Sequence, residues 1–257
     1  MSDKPEYAEN VVELGVPVEQ VWEAITTPAG LTSFMADQVE VEPGVGGHIQ
    51  LGWGGEMMAP GTIDAWVPGR LLRLHGNGIG EEWLLEGRGG ATAVRLVFSG
   101  YGDTDWDETY DAFDATGALI LEMLLSWLDE HHGAGPTDTR VTARLPLDTA
   151  AAWAAALGSG GLGVTADPDA IGVGDSFALT LQGGDPVPAQ LRTYGVRNEA
   201  LFAIPEWNGA RLLLMVRHRD DASVLTLGLT TYDASATEAA QGRLERTTRA
   251  MEKQFSN

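Results

Sequence analysis

One order of elements runs through this chain and then starts again, and that repetition narrows what it can fold into. Val11-Val12-Glu13-Leu14-Gly15-Val16 alternates as a strand does, and Pro17 ends it. In the next segment Val18, Val21, Trp22 and Ile25 fall at i, i+3, i+4 and i+7, one face of a short helix. Pro28 and Gly30 close that helix, and Leu31 to Met35 predicts a second helical turn. Strand-length pieces follow at Val39–Glu42, His48–Trp53, Thr62–Val67, Leu71–His75, Glu82–Glu86 and Ala93–Ser99. Turn signals such as Pro43-Gly44, Pro68-Gly69 and Gly89-Gly90 divide them. A long helix is predicted from Asp107 to His131, with Phe113, Gly117, Ile120, Leu124 and Leu128 on one face.

Gly133 to Asp138 is rich in Gly and Pro, and then the plan restarts. Arg140 to Leu145 alternates, Pro146 follows, and an Ala-rich helix surrounds Trp153. Val45 to Leu51 has a counterpart in Val173 to Leu179, and Val94 to Tyr101 in Leu225 to Tyr232. A last helix is predicted from Ala236 to Phe255. A repeat of roughly 130 residues is too long for a solenoid unit and points to duplicated domains. The expected boundaries are a first domain over 1–133, a linker over 134–138 and a divergent second domain over 139–257.

Composition removes several function classes. The net charge of −21 repels phosphate backbones and anionic lipid, so neither nucleic acid nor membrane is an expected partner. With zero cysteines there is no thiol nucleophile and no thiolate metal site. No apolar run reaches the ~20 residues of a membrane span. The polar start, Met1 to Glu6, does not read as a signal peptide, and a cytoplasmic location is expected.

Strand, two short helices, a long antiparallel meander and a C-terminal helix make the helix-grip order. Pro17 to Pro28, with Val21-Trp22 inside it, resembles the opening of the family named after the C-terminal domain of the activator of Hsp90 ATPase. Gly46-Gly47, Gly61-Thr62-Ile63, Pro68-Gly69-Arg70-Leu71 and Ser99-Gly100-Tyr101 before Trp106 extend the resemblance over nearly all of residues 9–132. The second half is a weaker relative, since Trp153 sits seven residues after Pro146 where Trp22 sits five after Pro17. The resemblance implies an α+β protein of two tandem START/Bet v 1-like (SRPBCC) domains. Each would be a curved antiparallel sheet around a long C-terminal helix, with a cavity between them. Members of the family are commonly small-molecule binders, and cyclases occur in the wider superfamily.

Several motifs are better explained structurally. Gly158-Ser159-Gly160-Gly161-Leu162-Gly163 has the letters of a dinucleotide loop but follows a helix where a strand is required, so it reads as a turn. Asp103-Thr104-Asp105-Trp106-Asp107 opens like a calcium loop, yet Glu108 stands where the sharp turn needs Gly. These carboxylates suit the start of the following helix. His48, His75, His131, His132 and His218 show no metal-binding spacing. No metal and no cofactor are expected.

Parity then builds a pocket. Ile49, Leu51 and Trp53 inward imply Val94, Leu96 and Phe98 inward, with Trp83, Leu85 and His75 following. The candidate ligand-binding residues are Trp53, His75, Trp83, Phe98, Tyr101, Phe113, Ile120 and Leu124. The leading reading is binding of a small hydrophobic or aromatic molecule in the first domain. A cyclase- or hydrolase-like enzyme using His75 with Glu82 or Asp64 is a second reading, its catalytic residues unassigned. A chaperone-associated or regulatory interaction protein, its partner unknown, is a third. The second half carries Leu181 and Leu229 at the places of Trp53 and Phe98, with no clear partner for Trp83. The larger cavity is therefore expected in residues 9–132 and a smaller or closed one in 139–257.

Overall fold

The structure, a computed structural model, describes residues 5–53, 56–100, 106–164, 171–195, 198–219 and 221–255. The chain divides between Ala134 and Gly135 into two units.

In the first unit, β1 (Tyr7–Leu14) leads into α1 (Val18–Thr26) and α2 (Pro28–Phe34). Pro17 stops the strand and its carbonyl accepts from the amides of Gln20 and Val21, opening α1. The helix buries Val21, Ala24 and Ile25, while Trp22 meets Trp66 edge-on at 5.2 Å. Thr27 caps α2 by accepting from the Gly30 amide at 3.1 Å.

The meander comprises β2 (Gln38–Glu42), β3 (His48–Trp53), β4 (Glu56–Met57), β5 (Gly61–Val67), β6 (Leu71–Gly76), β7 (Ile79–Arg88) and β8 (Ala91–Gly100). The sheet order is β1-β8-β7-β6-β5-β3-β2, with β4 beside β3. Gly47 turns β2 into β3 at a point where a Cβ would sit 2.0 Å from the Glu42 carbonyl. Asn77-Gly78 joins β6 to β7 with φ of 53° and 75°, the two-residue turn that matches the sheet's twist. Helix α3 (Trp106–Leu125) packs along β1 and β8, and a π-helical turn over Ser126–Glu130 ends it. Asp129 in that turn accepts from the Gly15 amide at 2.9 Å, tying the helix end to the end of β1.

The second unit repeats the plan with β9 (Thr137–Leu145), α4 (Thr149–Leu157), β10 (Ser176–Leu179), β11 (Val187–Gly195), β12 (Glu199–Ile204), β13 (Ala210–Arg219), β14 (Ala222–Thr231) and α5 (Ala234–Phe255). Its sheet order is β10-β11-β12-β13-β14-β9. Each unit has its own core, one around Trp83 and Leu124, the other around Phe202 and Leu214. Both are helix-grip domains of the α+β class. The correspondence reaches single hydrogen bonds: buried Thr92 donates to the Val16 carbonyl in one, and buried Ser223 to the Leu147 carbonyl in the other.

Several elements differ from their sequence-based limits. The first strand ends at Leu14, and Val11 faces outward, 63% exposed. The linker read at 134–138 is shorter, because Thr137 and Asp138 already pair with Thr231 and Thr230 in β9. The Asp138 carboxylate there accepts the Thr230 hydroxyl at 2.6 Å. Gly158–Gly163 is a turn following α4, closed by bonds from the Gly161 and Gly163 amides to the Gly158 carbonyl. The carboxylates read at 103–105 lie outside the described residues. Among the described residues no helix is long and apolar enough to cross a membrane, and no group of three or more His, Cys, Asp or Glu could hold a metal ion.

Candidate functional site

The first domain holds a cavity of about 200 Å³ between its sheet and helices, open to solvent on one side. Strand parity decides its walls. On β7 the inner face carries Ile79, Glu81, Trp83 and Leu85. Trp83 pairs with Leu72 and Leu96, and Glu81 with Leu74 and Phe98, so a row of apolar side chains surrounds one carboxyl. Ile49 and Leu51 of β3 continue the wall, and Ile25, Leu31 and Met35 close it from the helical side. Phe113 of α3 reaches in and meets Phe98 at 5.2 Å, with Trp106 stacked behind it at 6.1 Å. Met58 and Ala59, both exposed, form the outer rim.

Glu81 is the residue that the sequence reading missed. Trp83, only 1% exposed, donates its indole N–H to Oε1 of Glu81 at 2.6 Å. Burial pushes the Glu81 carboxyl above the ordinary glutamate range, and the Trp83 bond offsets part of that rise. Its second oxygen has no partner among the described residues. The sequence signal existed: an inward Trp83 puts Glu81, two residues away on the same strand, on the same face.

Of the eight residues expected at the site, His75, Trp83, Phe98 and Phe113 border the cavity. His75 nevertheless sits on the opposite face of β6 from buried Leu72 and Leu74, correcting its expected inward register. Alternation from buried Ile63 puts Asp64 on the outer face of β5, where its Oδ2 lies 2.8 Å from Nδ1 of His75. Glu82 is also on the outer face and accepts from Nε of Arg73 at 2.6 Å. An acid–base set of His75 with Asp64 or Glu82 therefore does not face the cavity. Ile120 and Leu124 do not border it either: Leu124 is fully buried in the core and Ile120 packs against that core. The side chain of Trp53 and all of Tyr101 lie outside the described residues.

The second domain places buried apolar side chains at the corresponding positions. The innermost ladder pair of the final hairpin is Arg88–Ala91 in the first domain and Arg219–Ala222 in the second. Counting from that pair puts Leu212, Leu214 and Leu229 in the places of Glu81, Trp83 and Phe98. Phe202 takes the place of Leu74 and meets Phe177 edge-on at 6.4 Å. All three leucines and Phe202 are no more than 1% exposed.

A meander gripped by a C-terminal helix, duplicated along the chain, defines a tandem pair of helix-grip domains. Residues 15–124, most of the first domain, match the family described as activator of Hsp90 ATPase homolog 1-like protein. No curated protein matches the chain. Among solved structures it is similar to DynU16, a protein in the dynemicin biosynthetic locus, at 17% identity and TM-score 0.44 over 98% of this chain and 96% of that one. It is also similar to the Aha1 dimer from Colwellia psychrerythraea, at 20% identity and TM-score 0.41 over 48% of this chain and 96% of that one. CalU16 from Micromonospora echinospora is similar at 20% identity and TM-score 0.38, over 46% of this chain and 73% of that one.

Proposed function

We propose that the first domain binds a small, largely apolar molecule in its cavity. The observation that supports this best is a cavity of about 200 Å³ lined mostly by apolar side chains and carrying one inward carboxyl. The second domain carries buried leucines and Phe202 at the corresponding positions, so the fold is built equally well with aliphatic side chains there. An apolar cavity of ~150 Å³ accommodates benzene, which sets the scale of the ligand at a single substituted ring.

Native mass spectrometry of the gently purified chain is expected to reveal a small organic adduct that is lost on denaturation. Titration with one-ring aromatic probes is expected to shift the tryptophan emission, and Trp83→Phe to remove most of that shift. A chain that carries no adduct and responds to no such probe overturns the reading.

A further inference from the structure

We propose that the ligand is a small lipophilic amine, held as its ammonium ion by the free oxygen of Glu81 and the adjoining aromatic rings. This rests on the binding function proposed above and gives it a chemical class. Besides His75 and Asn77 at the β6–β7 turn, the polar side chain of the wall is Glu81, whose Oε1 is taken by the Trp83 indole while Oε2 stays without a partner among the described residues. A carboxylate in such a place is costly unless a cation meets it. No Lys or Arg borders the cavity among the described residues, so that cation is not supplied from within the wall. His75, the other titratable group at the cavity, is paired with Asp64 on the outer face.

Three rings stand around the carboxyl. Phe98 is its direct partner across the strands, Phe113 lies against Phe98, and Trp83 is two residues along. Aromatic faces attract an ammonium group and repel an anion. The net charge of −21 acts in the same direction at long range, concentrating cations at the surface and excluding carboxylates. A neutral alcohol would satisfy one lone pair of Oε2 and leave the charge uncompensated. An ammonium ion does both.

Calorimetric titration of the full chain with benzylamine, benzyl alcohol and benzoate, matched in size and different in charge, tests the inference. Near neutral pH benzylamine is expected to bind about tenfold tighter than benzyl alcohol or better, and benzoate not at all. Glu81→Gln is expected to erase the preference for the amine while benzyl alcohol still binds. Glu81→Leu, which copies Leu212 of the second domain, serves as a second variant should the first fold poorly. Glu86→Gln, an exposed change on the outer face of the same strand, is expected to keep the preference. Benzyl alcohol binding as tightly as benzylamine overturns the amine and leaves the cavity reading standing. A preference that survives in both Glu81 variants also overturns it. If no probe binds, the binding function falls as well.

Discussion

Glu81 and Trp83 share the inner face of β7, and the carboxyl there titrates above its ordinary value because burial outweighs the indole bond. For an acid raised in this way, the folded chain holds its proton more tightly than the unfolded chain does. Its contribution to stability is complete below the unfolded value and is lost as pH rises through the folded value. Glu81→Gln keeps an oxygen for the Trp83 N–H and removes the titration. It is expected to raise the melting temperature of the first domain by about 4 °C per kcal/mol relieved near neutral pH. At about pH 3 and below it is expected to change little, because the carboxyl is then almost fully protonated in both states. Melting scans across that range check the difference, and an equal effect at both ends refutes it. Trp83→Ala is expected to cost about 3–5 kcal/mol, whereas Trp83→Phe retains most of the packing. The phenylalanine variant is expected to move the Glu81 titration further upward, since the indole bond that lowers it is gone. The carboxyl carbon shift in an NMR titration reads this directly.

At the scale of elements, Gly117 of α3 lies so close to β1 that a Cβ would sit 2.5 Å from Nδ2 of Asn10. Asn10 in turn donates to the Asp114 carbonyl at 3.0 Å, fastening strand to helix. Gly117→Ala is expected to destabilise the domain, although alanine favours a helix by about 1 kcal/mol over glycine. Adding Asn10→Ala is expected to recover part of the loss, a coupling that a double-mutant cycle measures. The same scale separates what the sequence makes legible from what it hides. Val21 and Ile25 mark α1 plainly, because helical spacing and burial coincide there. The sequence reading opens the strand after His75 at Glu82, whereas it begins at Ile79, straight after the Asn77-Gly78 turn. Starting from that turn, a strong hairpin signal, would have drawn attention to Glu81 in place of Glu82. The bulge after Ile63 left no comparable mark, since it depends on how β5 meets its neighbours. The helical run ends at His131 as its sequence suggests, and only its widening to a π-helical turn over Ser126–Glu130 is hidden, because that is set by packing and by the bond from Gly15 to Asp129.

Taken whole, the molecule is a strongly acidic chain with two separate cores. Fragments cut at the boundary between Ala134 and Gly135 are each expected to unfold cooperatively, since each keeps its complete core. Calorimetry of the two pieces tests that. Self-repulsion at a net charge of −21 is expected to ease as salt rises, lifting the melting temperature of the full chain between low and physiological ionic strength. The equal registers of the two final hairpins have a practical consequence as well. Leu212, Leu214, Leu229 and Phe202 together form a blank casting of the hollow in the first copy. An engineer could carve that blank: Phe202→Leu opens the space, and Leu229→Phe with Leu214→Trp sets the rings around it. Leu212→Gln would then give the second copy a neutral socket beside the charged one, so that one polypeptide sorted an amine from its alcohol.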